Sequence, residues 1–145
     1  RCARVLGKAG IRLGGRDLDR WIAKHLFPEK PVSESLLDAA EKLKCRLSSL
    51  QIDQKQFLLE IAPNTKNNEA NQLALSRFEL EQLLIEKGFL NLLTSLLDET
   101  LARGSSNGCE VDDLDGVIAV GGGARIPLVQ NWLRQKGAQR RLRLD

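Results

Sequence analysis

The stretch Val117-Ile-Ala-Val-Gly-Gly-Gly-Ala-Arg-Ile-Pro127 runs from four apolar residues into three glycines, an arginine and a proline. It reads as a buried strand feeding a tight glycine turn and then a helix, because Leu128, Val129, Trp132 and Leu133 recur at helical spacing. Glycines let backbone N–H groups approach phosphate or sugar oxygens, and the positive end of a following helix favours an anion. Taken alone, a glycine turn between strand and helix is also ordinary loop chemistry. A ligand site therefore needs a second group of residues elsewhere in the chain.

Outward from this turn the order of elements is mixed. An opening strand is expected over residues 2–6, then a glycine hinge at Leu13-Gly14-Gly15-Arg16-Asp17. A helix follows to about Phe27, with Leu18, Trp21, Ile22, His25 and Leu26 on one face, ended by Pro28 and Pro31. Ser33 is placed to cap a second helix whose seam is Leu36, Ala40, Leu43, Leu47 and Leu50. Residues 52–61 turn strand-like, and the polar run Pro63-Asn64-Thr65-Lys66-Asn67-Asn68 before Leu73 and Leu75 marks a hairpin. Ser76-Arg77-Phe78-Glu79 is a capping box opening helical sequence, which Phe89, Leu92, Leu93, Leu96, Leu97 and Leu101 continue to a close at Gly104. The loop from residue 105 to 115 leads into the glycine-ended strand.

Composition narrows the function classes. The 145 residues, 42% hydrophobic and 28% charged, suit one domain or part of one. The net charge of +3 is concentrated partly in Arg140-Arg141-Leu142-Arg143, but with aromatics at 4% and no Tyr the chain lacks the interleaving expected of a nucleic-acid surface. That tail reads as a solvated end or a strand cut from its neighbours. Cys2, Cys45 and Cys109 are odd in number and widely spaced, which argues against a disulfide framework or zinc knuckle and for a reducing compartment. No apolar run has membrane-spanning length, so a cytoplasmic location is expected, without nucleic-acid or membrane partners. The absence of Met and the start inside strand-like sequence suggest an excised segment, whose cut surfaces could drive a non-native oligomer.

The second group lies on the capped helix. Each residue advances about 100° around a helix, so Glu41, Lys44 and Ser48 fall within a stripe roughly 60° wide beside the leucine seam. A carboxylate, an ammonium and a hydroxyl converging there can clamp a polar ligand such as a ribose and base. A solvated helix face carrying an ordinary acid and base pair is the plainer alternative. His25, the single histidine, reads as structural, and Asp112, Asp113 and Asp115 read as a solvated turn. No GxxxxGK[ST] run occurs and no His, Cys or Asp set has metal-ligand spacing.

The runs Leu13-Gly-Gly-Arg-Asp-Leu-Asp19, Ala40-Glu-Lys-Leu-Lys-Cys-Arg-Leu-Ser-Ser49, Ser76-Arg-Phe-Glu79 and Val117-Ile-Ala-Val-Gly-Gly-Gly-Ala-Arg-Ile-Pro127 resemble, in the same order, the ATPase domain of the 70-kilodalton heat-shock chaperones of the DnaK type. The resemblance implies an α/β chain, an α+β arrangement of helices with a small sheet and hairpin, forming part of an actin-like ATPase fold. It implies a fragment of the nucleotide-binding domain over residues 1–145, with residues 14–103 as the outer subdomain of the second lobe and residues 1–13 and 116–145 as pieces of the inner one. The ligand implied is ATP or ADP, with magnesium held by parts outside this chain. Glu41 and Lys44 look like the ribose pair, Ser48 like the hydroxyl that meets adenine, and Gly15 like a backbone contact near the nucleotide. Gly121, Gly122 and Gly123 resemble the turn beside sugar and phosphates. Arg125 resembles the guanidinium packed on the adenine face, bordered by Ile126, and Cys45 takes a position along the base.

The chain departs from the family pattern at Gly123 and Ala124, where a serine and a threonine are usual, at Arg16, where an acid is usual, at Leu18 in place of phenylalanine, and at Cys45. The resemblance further implies that the chain is not an enzyme by itself, although its parent would hydrolyse ATP as a stress-response chaperone. It would open and close on nucleotide and dock nucleotide-exchange factors and other co-chaperones. The alternative is a protein-interaction scaffold, an exchange-factor docking module that binds no nucleotide.

Overall fold

The structure is a computed structural model that describes residues 3–49, 56–61, 70–139 and 143–144. It is mostly helical, with one two-stranded antiparallel ribbon and one two-stranded parallel pair among the described residues. The chain divides into two compact units, Leu13–Lys87 and the combination of Arg1–Arg12 with Gly88–Asp145.

The Leu13–Lys87 unit is built on two helices, α1 (Gly15–Leu26) and α2 (Glu34–Ser49), followed by β1 (Gln56–Ile61), β2 (Ala70–Leu75) and α3 (Arg77–Glu86). Each helix start is set locally. The N–H of Gly14 donates to the Asp17 carboxylate at 2.8 Å, satisfying the backbone just ahead of α1. Ser33 caps α2 as expected, its hydroxyl accepting from the N–H of Leu36 at 3.2 Å. At α3 both halves of the capping box form: the Ser76 hydroxyl accepts from the N–H of Glu79 at 3.0 Å, and the N–H of Ser76 donates to the Glu79 carboxylate at 2.7 Å.

The seam of α2 buries Leu36, Leu37, Ala39, Ala40, Leu43 and Leu47. Leu18, Ile22 and Ala23 of α1, Leu73 and Leu75 of β2, and Leu80, Leu83 and Leu84 of α3 are the other buried apolar residues among those described in this unit. β1 and β2 pair antiparallel from Gln56 opposite Leu75 to Ile61 opposite Ala70, which is the expected hairpin. Its expected tip at residues 63–68, the start of its first strand at 52–55, and Leu50 lie outside the described residues. The guanidinium of Arg77 donates from Nε and Nη2 to the carbonyl of Leu47, at 3.1 and 3.0 Å, so the first turn of α3 satisfies an open carbonyl in the last turn of α2.

The other unit contains α4 (Phe89–Ser106), a short 3-10 turn (Val111–Asp113), β3 (Gly116–Val117), a second 3-10 turn (Gly122–Arg125), α5 (Pro127–Gln139) and β4 (Arg143–Leu144). β3 and β4 pair in parallel, so part of the basic tail is indeed strand. The indole N–H of Trp132 on α5 donates to the Thr94 hydroxyl on α4 at 3.1 Å. The N-terminal segment lies so close to α4 that a Cβ on Gly7 would stand 2.4 Å from the carbonyl oxygen of Thr100 and 2.7 Å from the backbone nitrogen of Gly104. Among the described residues no helix is long and apolar enough to cross a membrane.

Several sequence expectations are corrected. No strand forms over the described part of residues 2–6; side chains of α4 hold that backbone instead, with Asn107 donating to the carbonyl of Leu6 at 2.6 Å and Arg103 to that of Lys8. The Gly14-Gly15 pair forms the start of α1, with Gly14 extended at φ −124°, close to the first residue of the Leu13–Lys87 unit. His25 is exposed, because the buried face of α1 runs through Leu18, Asp19, Ile22 and Ala23. The long helix after Ser76 is two helices, since Gly88 adopts φ +72°, a left-handed conformation that stops α3 and starts α4. Gly104 lies in the last turn of α4 rather than after it, and its carbonyl accepts from the N–H groups of Asn107 and Cys109 at 3.0 Å each. The apolar run 117–120 is only briefly strand, and Ile118 and Val120 are 77% and 83% exposed.

The burial of α2 fixes a stability expectation. Leu43→Ala should lower the unfolding free energy by about 2–5 kcal/mol, whereas Lys42→Ala, on the exposed side of the same helix, should change it by less than about 0.5 kcal/mol. Urea denaturation followed by circular dichroism measures both.

Candidate functional site

The polar residues singled out on α2 face a second set on α1. Asp19 is a buried charged residue, with 2% of its side chain exposed, and its carboxylate accepts from the ammonium of Lys44 at 2.6 Å. Lys44 is itself only 12% exposed and also donates to the carbonyl of Gly15 at 3.2 Å. Ser48, one turn further along α2, donates its hydroxyl to the carbonyl of Lys44 at 2.9 Å. Gly15, Lys44 and Ser48 thus form one connected hydrogen-bonded set with Asp19 at its buried end.

Glu41 stands apart from that set. Its carboxylate is 54% exposed and lies 3.6 Å from Nη1 of Arg16, which also bonds Glu34 at 2.5 Å and Asp38 at 3.0 Å. These carboxylates sit at successive turns of α2, and one guanidinium from α1 spans them. The hydrogen bond to Glu34, followed by that to Asp38, raises the pKa of Arg16 above its already high ordinary value. Glu41 and Cys45 line an open groove of about 510 Å³ together with Asp38, Lys42 and Arg46. Helix geometry explains the separation, because Glu41 and Cys45 are four residues apart on one face while Lys44 lies toward α1.

In the other unit, Gly121 has φ +89°, a conformation costly for any residue with a Cβ, and it opens the turn that the sequence marks with glycines. A Cβ on Gly122 or Gly123 would meet nothing within 4 Å, so the surface there is open. Gly121 and Arg125 line a groove of about 600 Å³ with Ala119, Ala124, Gln130, Leu133 and Arg134. Arg125 is exposed, and Ile126 is 2% exposed beneath the turn. Each unit therefore carries an open groove lined by residues that sequence reasoning selects. Among the described residues, no group of three or more His, Cys, Asp or Glu side chains is placed to hold a metal ion.

Sequence reasoning passed over Asp19. The signal was present: Asp19 lies three and four residues before Ile22 and Ala23, at the spacing of the buried face of α1. An acid at a core position requires a partner, and Lys44 supplies it.

Burial is the main influence on Asp19 and raises its pKa above the ordinary carboxylate value, with Lys44 opposing the shift through its hydrogen bond and charge. The folded chain therefore holds the Asp19 proton to higher pH than the unfolded chain does. The stability gained is complete below the unfolded pKa and is lost as pH rises through the folded one. Urea unfolding at stepped pH should show wild type losing stability relative to Asp19→Asn as pH rises through the acidic range above the ordinary carboxylate value.

Comparison with known proteins places the sequence. The profile of the family described as Hsp70 protein matches residues 8–142. A curated protein named chaperone protein dnaK1 from Prochlorococcus marinus strain MIT 9313 is 33% identical over 135 residues, which cover 85% of this chain and 19% of the relative. A second chaperone protein dnaK1, from Prochlorococcus marinus subsp. pastoris, is 28% identical over the same length with the same coverage.

Proposed function

The chain belongs to the Hsp70 family, and from that premise we propose that it is the nucleotide-clamping part of a DnaK-type chaperone ATPase, taking the adenine and ribose of ATP or ADP and opening and closing to gate their exchange. It spans only 19% of the length of the curated relatives it matches, so hydrolysis, magnesium and phosphate binding are assigned to the rest of the parent protein. The actin-like fold that the family implies is likewise completed outside this chain. The outer subdomain, residues 14–103, takes in nearly all of the Leu13–Lys87 unit and most of α4.

The observation that carries this reading is the connected set Gly15, Lys44 and Ser48 beside the exposed carboxylate of Glu41. Their donors and acceptors suit a nucleoside. The Glu41 carboxylate can accept from sugar hydroxyls, and the ammonium of Lys44 has three N–H donors, two of which are used among the described residues. Ser48 donates to the helix backbone, which leaves its oxygen lone pairs for an exocyclic amino group. Arg125, exposed beside its glycine turn, suits stacking on an aromatic base, worth about 0.5–2 kcal/mol. Gly121, Gly122 and Gly123 offer open backbone to sugar and phosphate, Cys45 lines the groove beside Glu41, and Ile126 supports the turn from below.

In the parent, differential contacts to ATP and ADP would set the equilibrium between closed and open states. Exchange factors and other co-chaperones are the partners this reading assigns. One observation favours the alternative scaffold role: Lys44 and Ser48 both spend donors inside the protein.

Titration of the isotopically labelled chain with ADP and then adenosine separates the two readings. The clamp predicts that the amides of Glu41, Lys44, Ser48 and residues 121–125 shift together, with adenosine reproducing most of the effect at an affinity of about millimolar or weaker. Glu41→Gln should weaken adenosine about tenfold without moving the unfolding midpoint. Unmoved amides at several millimolar ligand would count against a clamp that works in this chain alone and put the scaffold reading ahead.

A further inference from the structure

The buried carboxylate of Asp19 has no role in the clamp as described so far, yet it makes the shortest contact to the proposed sugar-binding lysine. Resting on the clamp reading, we propose that Asp19 is a positioning residue for ribose recognition: from the buried face of α1 it fixes the Lys44 ammonium in one direction, and so sets the preference of the site for a sugar bearing both hydroxyls.

Lysine has a flexible four-carbon stem and three rotatable donors, so an unrestrained Lys44 would spread its ammonium over many positions. Two of those donors are fixed here. One meets Asp19 at 2.6 Å and one meets the carbonyl of Gly15 at 3.2 Å. The Gly15 carbonyl is itself fixed in the first turn of α1, four residues before Asp19. With two tetrahedral directions taken, the third N–H is aimed by geometry rather than by chance. The side chain of Lys44 retains 12% exposure, which leaves a ligand a path to it, whereas Asp19 at 2% is closed to any ligand. Asp19 therefore acts through Lys44 and touches no sugar.

Glu41 is placed differently. It lies on the exposed side of α2, and the fork of Arg16 reaches it only at 3.6 Å, beyond hydrogen-bonding distance, after bonding Glu34 and Asp38. The fixed donor of the sugar site is consequently Lys44, and the adaptable acceptor is Glu41. A fixed donor penalises a sugar that lacks the hydroxyl it is aimed at, because its hydrogen bond then goes unmade in a partly buried place.

The test compares adenosine, 2′-deoxyadenosine, 3′-deoxyadenosine and free adenine as ligands of the labelled chain, with affinities read from amide shifts. Wild type should bind adenosine about tenfold more tightly than one of the two deoxynucleosides. In Asp19→Asn that ratio should fall to about one while free adenine binds as in wild type, a pattern that a general loss of stability does not produce. If Asp19→Asn does not fold, Asp19→Glu keeps the buried charge pair but displaces the carboxylate by one methylene, and a reduced ratio with unchanged binding of free adenine is expected of it. Discrimination retained in a folded variant overturns the role of Asp19 and leaves the clamp standing. Wild type that binds all four ligands alike also overturns it. Absence of any binding to wild type overturns the clamp, and this proposal with it.

Discussion

One buried ion pair sets the relation between the first two helices. Asp19 occupies a position on α1 that the helical period assigns to the core, and an ionised carboxylate there is tolerated only with a cation against it. Lys44 is that cation, and keeping the two together constrains how α2 sits against α1. The leucine seam of α2 supplies non-directional attraction that several sliding arrangements could satisfy in part. The charge contact at 2.6 Å favours those that keep the two groups together. The raised pKa of Asp19 is the counterpart of that choice: burial opposes its charge, so the pair specifies an arrangement more than it stabilises one.

The same pair organises the chemistry proposed for α2. By drawing Lys44 toward α1 it separates a fixed, half-enclosed donor from the exposed carboxylate of Glu41, and the hydroxyl of Ser48 follows the backbone of Lys44. Arg16 adds a guanidinium that gathers Glu34, Asp38 and Glu41 on the outer side of the helix. In the other unit the constraint is conformational: Gly121 at φ +89° turns the chain into the short 3-10 segment that presents Arg125.

Features governed by neighbours in sequence were readable before any coordinates. The Ser33 cap, the Ser76 and Glu79 capping box, the α2 seam and the pairing of β1 with β2 each rest on a few adjacent residues or on a plain period. Features governed by distant contacts were not. The segment before Gly7 looks like strand, but the carbonyls of Leu6 and Lys8 around that glycine are taken by Asn107 and Arg103, about a hundred residues away in sequence. His25 fits an apolar face by spacing and loses it because Asp19 and Ala23 rotate that face elsewhere. The apolar stretch from Val117 to Val120 is strand-like in composition, yet β4 pairs with only its first residue and the one before it. Of the candidate site residues, the sequence selected those with distinctive chemistry on a helix face or in a glycine turn. It could not reveal that Lys44 is held from behind, since Asp19 lies 25 positions away.

The state of the Lys44 ammonium tests this account most directly. In nitrogen-15 spectra tuned to lysine ammonium groups, Lys44 should give a distinct, slowly exchanging signal in the wild-type chain at neutral pH, and that signal should collapse toward the exposed-lysine position in Asp19→Asn. A wild-type Lys44 signal that exchanges as fast as that of Lys24, an exposed lysine on α1, would contradict it, because the two helices would then meet without the ion pair.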